Sequence, residues 1–284
     1  MRAHSREGPR VRIAVIGHVE HITLGRVAAV PRAGEIAHLQ SPRSFPGGGG
    51  GIAFFQLTRS DGEILLYTAL GNDDAAAEVR DRIGRTGARI FAAVRQQAHT
   101  RDVVLITPDG ERTIVVIGEP LHPERADDLP WPELASCDAA YFTAQDPAAL
   151  AAARAARLLV VTARRRAALL RSGVRADVLV GSALDPRESC TLDDFPPLQR
   201  PAALVLTEGA AGGAIHTDRG SQRFPAPQRR PEGGGSYGAG DSFAGALTWY
   251  LASGASILDA CTRASPHGAA VLGSLDPLTS QQPL

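Results

Sequence analysis

The sequence predicts an α/β fold in which a mostly parallel sheet lies between helices. From about residue 138 onward, short apolar runs alternate with Ala- and Arg-rich segments, and this pattern is typical of a parallel sheet with helices on its faces. With 284 residues, of which 44% are hydrophobic, the chain is long enough for one large domain with a sizeable core. We therefore expect a single domain over residues 11–284 and a disordered polar segment at 1–10.

The first half of the chain shows a buried strand, a glycine loop and a hairpin. The hairpin is indicated by β-branched runs on both sides of Pro108-Asp109-Gly110, because such a turn joins adjacent strands. In chain order, the predicted elements are a strand at 11–16, two short strands joined by a turn within 18–40, the glycine loop at 47–51, a helix at 52–57, a strand at 63–70, a helix at 75–83, and hairpin strands at 103–107 and 113–117.

The second half provides most of the predicted parallel sheet and ends in two helices. The apolar runs are short and bounded by turn residues, as expected for buried strands. The predicted strands lie at 139–143, 158–161, 178–180 and 204–207, followed by an antiparallel pair at 212–217 and 222–224; the final helices lie at 239–253 and 256–272.

Composition excludes several classes of function. Thirty basic and thirty acidic residues give a net charge of zero, so nucleic acid is not expected as a partner. All basic residues are arginines, which rules out a Walker A lysine and a Schiff-base lysine. Cys137, Cys190 and Cys261 lack metal-ligand spacing, which indicates packing in a reduced, cytoplasmic protein. No apolar run is long enough to predict a membrane span.

The most informative segment is a glycine turn that runs into an amphipathic helix. Residues 238–241 read Gly-Ala-Gly-Asp, and apolar residues then recur at helical spacing from Phe243 to Leu251. The N–H groups of such a turn and the dipole of the helix together form an anion site. A carboxylate there, Asp241, is suited to taking a proton from a hydroxyl that attacks a bound phosphoryl group. A simple helix-capping role for Asp241 is the alternative.

Residues 238–247 closely resemble the carboxy-terminal signature of the ribokinase-like (PfkB) carbohydrate kinases. Other segments follow in the order of that family: the glycine loop at 47–51, Gly-Asn-Asp-Asp at 71–74, Pro-Asp-Gly-Glu-Arg-Thr at 108–113 and Thr-Glu-Gly-Ala-Ala-Gly at 207–212. The resemblance extends from residue 11 to about 273. It implies a three-layer ribokinase-like fold, with a small β-strand lid over the sugar formed by residues 18–40 and 98–118.

The resemblance also implies a reaction and a set of site residues. The reaction is ATP- and Mg2+-dependent phosphorylation of a hydroxymethyl group on a sugar or nucleoside. By position, Asp241 would be the general base, and the N–H groups of Gly238, Ala239 and Gly240 would stabilise the transferring group. The implied nucleotide contacts are Thr207, Gly209 and Gly212, with Ser182 and His267 as further candidates. The implied substrate contacts are Glu20, Gly47, Gly48 and Ile52.

Several positions depart from the family pattern. The family's Asn-x-x-Glu, which organises Mg2+ through water, is matched by Ser182 and Asp185, so Asp185 is expected to act on the metal through water. Gly235-Ser236 replaces the usual Asp-Thr and puts the monovalent-cation site in doubt. Ile52 replaces an Asn at the sugar site. Because a buried hydroxyl needs a partner, these changes indicate a different, less polar or lost substrate.

Two functions of different class are therefore open. The first is an active sugar or nucleoside kinase, and the second is a catalytically weak sensor that binds a sugar, nucleoside or nucleotide on the same fold. The arginines at 164–166 are interpreted as a solvated helix face. Arg112 is interpreted as a solvated arginine of the hairpin, although it could reach an anionic group of the substrate. The identity of the substrate is open, as is a homodimer formed through exposed lid edges.

Overall fold

The computed structural model describes residues 10–227 and 235–284. The expectation of disorder for residues 1–9 lies outside these ranges. The strands are β1 (Arg12–Ile16), β2 (Glu20–Arg26), β3 (Gln40–Gly47), β4 (Glu63–Leu70), β5 (Arg89–Val94), β6 (Arg101–Ile106), β7 (Arg112–Ile117), β8 (Ala139–Phe142), β9 (Leu158–Thr162), β10 (Val178–Ser182), β11 (Ala203–Thr207), β12 (Gly213–Thr217) and β13 (Gly220–Phe224). The helices are α1 (Gly48–Leu57), α2 (Asp74–Gly84), α3 (Pro147–Ala153), α4 (Arg166–Ser172), α5 (Ala239–Ala252), α6 (Ile257–Ala270) and α7 (Pro277–Ser280).

The central sheet has nine strands in the order β13-β12-β11-β10-β9-β8-β1-β4-β5. All neighbours from β11 to β5 pair in parallel, whereas β12 and β13 pair antiparallel at one edge. Alternate residues of the buried strands enter two separate cores. One core packs against α1, α2, α5 and α6, and the other against α3, α4 and the 3-10 helix Trp131–Ser136. The predicted α/β class with helices on both faces is thereby confirmed.

The position of β1 creates a crevice at the carboxyl edge of the sheet. It pairs with β4 on one side and β8 on the other, so the connections from these strands diverge to opposite sides. In open α/β sheets, ligands bind at such a switch point. Gly17 and Thr143 immediately follow β1 and β8, and they therefore border the crevice.

The lid is a separate four-stranded sheet in the order β3-β2-β6-β7. The hairpin prediction is confirmed by the antiparallel pairing of β6 and β7. The expectation of two strands within residues 18–40 is wrong, because the second strand is β3 (Gln40–Gly47). Pro42 and Pro46 obscured it in the sequence. They are tolerated because β3 forms the edge of the sheet, where proline costs little pairing.

The prediction that the glycines at 47–51 form a loop ahead of a helix is wrong. The helix α1 begins at Gly48, although glycine disfavours helix interiors. Close packing explains the arrangement. A Cβ on Gly50 would lie 2.6 Å from the His18 carbonyl oxygen and 2.8 Å from the Gly17 carbonyl carbon. Tertiary contact with the backbone after β1 therefore overrides helix propensity.

The sequence analysis missed two elements, and the structure also shows the state of the three cysteines. The strand β5 and the helix α7 were not predicted, since β5 is only partly buried and α7 has four residues. The three cysteines are buried and free, which confirms the packing interpretation. Among the helices of the described ranges, none combines the length and apolarity needed to cross a membrane.

We expect Gly50→Ala to destabilise the fold by about 2 kcal/mol, the scale of overpacking against a backbone that has no room to move. Gly84→Ala is the matched control, because a Cβ there meets nothing within 4 Å. It should be neutral or slightly stabilising. Urea unfolding of the two variants measures the difference, and equal stability of both would contradict the packing account.

Candidate active site

Asp241 lies in the first turn of α5, after a glycine that the turn requires. Gly238 adopts φ +82°, in the left-handed region that favours glycine. Its carbonyl accepts the Ser242 N–H at 2.9 Å, and the Ala239 N–H donates to the Ser236 carbonyl at 3.3 Å. Among the described residues, the Gly240 N–H has no partner, and a Cβ on Gly240 would face open space. The helix amino-terminus thus opens onto the crevice.

The amino-terminus of α1 meets that of α5 at the same place. The Gly48 N–H donates to the Tyr237 hydroxyl at 3.0 Å, and Gly48 itself has φ +75°. A Cβ on Gly49 would lie 3.2 Å from Asp241 Oδ1. A Cβ on Gly48 would lie 2.9 Å from Glu20 Oε2. The glycines therefore let two carboxyl groups approach the backbone of α1.

Glu20 and Asp102 form a buried carboxyl pair under the lid. They lie on the neighbouring strands β2 and β6, and their exposures are 6% and 4%. Burial and the adjacent Asp102 raise the pKa of Glu20 well above its ordinary value, and burial also raises the pKa of Asp102. Since two adjacent carboxylates cannot both ionise readily, the pair shares a proton at neutral pH.

Two histidines sit edge to face beside this pair. The rings of His18 and His122 are 4.8 Å apart, and His18 Nε2 accepts the Gly49 N–H at 3.2 Å. Burial lowers the pKa of His18, and it lowers that of His122 to about 3. Both rings are therefore neutral at pH 7, and His18 carries its proton on Nδ1. His122 also borders a cavity of about 760 Å³ that extends to Arg125 and Gln145.

The three consecutive arginines do not form one solvated face, contrary to the sequence interpretation. Arg165 is largely buried, and its Nε donates to the Thr143 carbonyl at 2.9 Å. Arg164 pairs with Asp185 at 2.9 Å and with Glu188 at 2.5 Å. The 3-10 turn after β9 directs these neighbours differently from a regular helix. Helical periodicity could not have revealed that separation.

The pKa of Asp241 is raised to about 6 by burial and by the negative charge of Glu188. The positive charges of Arg164, Arg112 and Arg165 limit this rise. Arg112 belongs to the lid strand β7 and is exposed, as expected. It also donates to the Ser236 hydroxyl at 2.7 Å, so it links the lid to the turn before α5. Asp241 is thus ionised at pH 7, and its pKa of about 6 is close enough to that pH for the carboxylate to accept a proton.

The predicted nucleotide residues lie at adjacent strand ends. Ser182 and Thr207 are paired at the carboxyl ends of β10 and β11, where Thr207 donates to the Gly181 carbonyl at 3.3 Å. Gly209 and Gly212 have φ +56° and +83°. A Cβ on Gly209 would lie 3.5 Å from Leu184, whose 71% exposure offers an apolar surface beside the turn.

Two predicted contacts are turned inward instead. His267 is 5% exposed, and its Nε2 lies 2.9 Å from the Tyr250 hydroxyl, between α5 and α6. Its position favours packing over nucleotide contact. Ile52 is fully buried, and its Cγ2 lies 3.2 Å from where a Cβ on Gly238 would stand. It supports the turn from below and presents no surface to a substrate.

The carboxylates after β10 are also arranged differently from the expectation. Asp185 is held by Arg164 and by the backbone and side chain of Arg187, which lower its pKa to about 2 despite partial burial. Glu188, which the sequence analysis did not single out, folds back to accept the Ser182 N–H at 3.0 Å. Its charge raises the pKa of Asp241, so Glu188 rather than Asp185 lies electrostatically close to that carboxyl. The described ranges contain no cluster of three metal-ligating side chains.

Comparisons with known proteins agree with this geometry. Residues 176–282 match the model of the pfkB family carbohydrate kinases, and this range includes Ser182, Thr207 and Asp241. The whole chain shares the fold of ribokinase from Giardia lamblia, with a TM-score of 0.80, 15% identity, and 96% of each chain covered. The carboxy-terminal part of this chain is similar to the PfkB family, and that match covers the carboxy-terminal part of the resemblance drawn from the sequence. The ribokinase-like fold is confirmed.

Two further structures show the same fold. Ribokinase from Cryptococcus neoformans in complex with ADP has a TM-score of 0.76 and 19% identity, with 97% of each chain covered. The nucleoside kinase of Burkholderia thailandensis in complex with inosine also has a TM-score of 0.76, with 18% identity and coverage of 95% of this chain and 94% of that one. A search of curated proteins finds no significant match.

The raised pKa of Asp241 predicts that removing its carboxylate stabilises the fold, and that this gain depends on pH. Asp241→Asn should raise Tm by a few degrees at pH 8, because the folded state no longer holds a carboxylate in an unfavourable site. Below the unfolded pKa of about 4, both states are protonated and the gain should vanish. Thermal unfolding from pH 4 to pH 8 measures it. A gain that is unchanged at pH 4 would contradict the pKa argument.

Proposed function

We propose that the protein transfers the γ-phosphoryl group of ATP to a hydroxymethyl group of a sugar or nucleoside. The observation that supports this most directly is the position of Asp241, at the open amino-terminus of α5 and against the side-chain-free face of α1. A base and an anion site at one point are what phosphoryl transfer to an alcohol requires. A carboxylate that only caps the helix needs neither the close approach of Gly49 to Asp241 nor a raised pKa.

The reaction uses the proton affinity of Asp241 and the dipole of α5. The acceptor hydroxyl lies over Gly49 and gives its proton to Asp241 as its oxygen attacks phosphorus. The growing charge on the transferring group faces the N–H groups of the turn at 238–240. Among the described residues, the N–H groups of Gly238 and Gly240 have no partner and can donate to that group, whereas the Ala239 N–H is used by Ser236.

The lid supplies the sugar-binding groups. Glu20 and Asp102 present a protonated carboxyl pair, which both donates and accepts hydrogen bonds to hydroxyls. Gly47 and Gly48 allow the sugar to approach the α1 backbone. The link from Arg112 to Ser236 holds the lid against the phosphate side and excludes water from the transferring group.

The nucleotide lies along the carboxyl ends of β10 and β11, against Thr207, Gly209, Gly212 and the exposed Leu184. Mg2+ could be held at these strand ends through Glu188. Glu188 keeps unused lone pairs on its carboxylate and can hold water ligands of the metal, while the nucleotide phosphates provide the inner ligands, as Mg2+ prefers. When bound, Mg2+ neutralises charge on the phosphates.

We expect the wild-type protein to release ADP from Mg-ATP with at least one compound in a panel of pentoses, hexoses, sugar acids, sugar phosphates and nucleosides. Asp241→Asn should lower turnover at least ~100-fold, the scale of a general base, with ATP affinity and folding retained. Below pH 6, kcat/KM of the wild type should fall as Asp241 is protonated. Full turnover by the variant would contradict the assignment.

A binding protein without turnover is the second candidate. Its support is the replacement of the family's Asn-x-x-Glu by Ser182 and Asp185 at the end of β10. The same panel separates the two functions, because a sensor would gain thermal stability from a ligand without releasing ADP.

We further propose that two copies associate through the lid. Among the described residues, the strand β7 is an edge of the lid sheet, and Ile114, Val115, Val116 and Ile117 are 40–51% exposed. Long apolar edges of this kind pair with another chain. Sedimentation should show a dimer for the wild type and a monomer for Val116→Lys. The control variant Val94→Lys changes an exposed valine on β5 and should remain a dimer. A monomeric wild type would contradict the proposal.

A further inference from the structure

We propose that the acceptor of this kinase carries an anionic group, a carboxylate or a phosphate, and that Arg165 binds it. This inference rests on the proposed function, since it names the class of substrate for the same site. It rests on the contacts of three consecutive arginines, on unpartnered polar groups beside them, and on the charges of their neighbours.

Arg165 differs from the arginines on either side. Arg164 is neutralised by Asp185 and Glu188, and Arg166 donates to the Arg187 carbonyl at 2.9 Å. Arg165 uses only its Nε, toward Thr143. In the described part of the chain, its two terminal nitrogens have neither a hydrogen-bond partner nor an ion pair within 4 Å. Those nitrogens remain accessible and form the fork that matches carboxylate and phosphate oxygens.

The position of Arg165 is that of the acceptor pocket. The residue it contacts, Thr143, lies across Gly49 from the base: a Cβ on Gly49 would be 2.9 Å from Thr143 Oγ1 and 3.2 Å from Asp241 Oδ1. The guanidinium charge also acts on Glu20, His18 and His122. A group bound to Arg165 would therefore belong to the same molecule as the hydroxyl that Asp241 activates.

Two buried side chains on which the Arg165 charge acts carry polar atoms without partners among the described residues. Tyr141 is fully buried, and its hydroxyl has no partner among the described residues; His122 is 8% exposed, and neither of its ring nitrogens has one. Both side chains lie within electrostatic reach of Arg165. Because such atoms are costly to leave unsatisfied, they indicate a polar ligand that fills this space.

The neighbouring charges leave the guanidinium without a lasting counter-ion. Glu20 is protonated, and the two histidines are neutral. Asp241 is ionised at rest but loses its charge when it accepts the hydroxyl proton. A partly buried cation without a contacting anion is unfavourable, so an anion supplied by the substrate would complete the site.

The test uses acceptor pairs that differ only in the charged group. D-gluconate against D-glucitol probes a carboxylate, and a ketohexose phosphate against the free ketohexose probes a phosphate. ADP release and ligand-induced Tm shift are measured for the wild type, Arg165→Gln, Arg165→Lys and, as the matched control from the same run, Arg166→Gln.

In at least one pair, the anionic member should stabilise the wild type and exceed its neutral partner ~100-fold in kcat/KM, the scale of a desolvated charged contact. Arg165→Gln should remove both effects, Arg165→Lys should restore part of them, and Arg166→Gln should change neither. The pair that responds identifies carboxylate or phosphate.

Four results bear on this inference, and the first two separate it from the kinase proposal. Asp241-dependent turnover of neutral acceptors only would overturn the role of Arg165 and leave the kinase in place. Anion-specific stabilisation that depends on Arg165, without ADP release, would support the inference and overturn the kinase. The inference would be overturned if a folded Arg165→Gln variant lost kcat/KM equally with the anionic and the neutral member of each pair. It would also be overturned if no anion changed the Tm or the ADP release of the wild type.

Discussion

The convergence of two helix amino-termini on one carboxyl group is the constraint on which the site depends. The turn before α5 holds Asp241, and α1 approaches it so closely that no side chain fits at Gly49. The hydrogen bond from Gly48 to the Tyr237 hydroxyl joins the two turns. Behind them, Gly17 and Gly50 bring α1 against the end of β1. The glycines are therefore a requirement of packing as much as of ligand binding.

Burial in a small volume sets the protonation of this site. It disfavours charge on every group, and the outcome differs with the neighbours. Glu20 lies beside Asp102 and stays protonated, and His18 and His122 stay neutral. Asp241 faces three arginines, which hold its pKa at about 6 despite burial and the charge of Glu188. One environment thus provides neutral groups for binding and one ionised group for proton transfer.

The lid and the central sheet are coupled through polar contacts at their junction. Glu20 begins β2 directly after the crevice, and Asp102 lies on the adjacent lid strand. Arg112 reaches from β7 to Ser236. A shift of the lid would therefore alter the hydrogen bonding of the acceptor and the electrostatics of Asp241 together. In the proposed reaction, the lid would therefore influence proton transfer as well as enclose the substrate.

The sequence by itself determined the α/β class, most strands of the central sheet and the hairpin, and it singled out Asp241 as a candidate base. These follow from local pattern: apolar runs mark buried strands, and a glycine turn before an amphipathic helix marks an anion site. The sequence did not reveal β3, whose prolines are compatible with a strand only at an edge. It also did not predict that α1 begins within the glycine run, because contact with Gly17 decides that.

Only the tertiary structure decided which charged groups face the site. Arg164, Arg165 and Arg166 are equivalent in sequence, yet they have separate partners because the chain turns between β9 and α4. Glu188 rather than Asp185 approaches Asp241 because the turn after β10 folds back on Ser182. His267 and Ile52 point into the core for the same kind of reason. A linear pattern records the residue types and their spacing, whereas charge pairing and burial depend on distances between segments far apart in the chain.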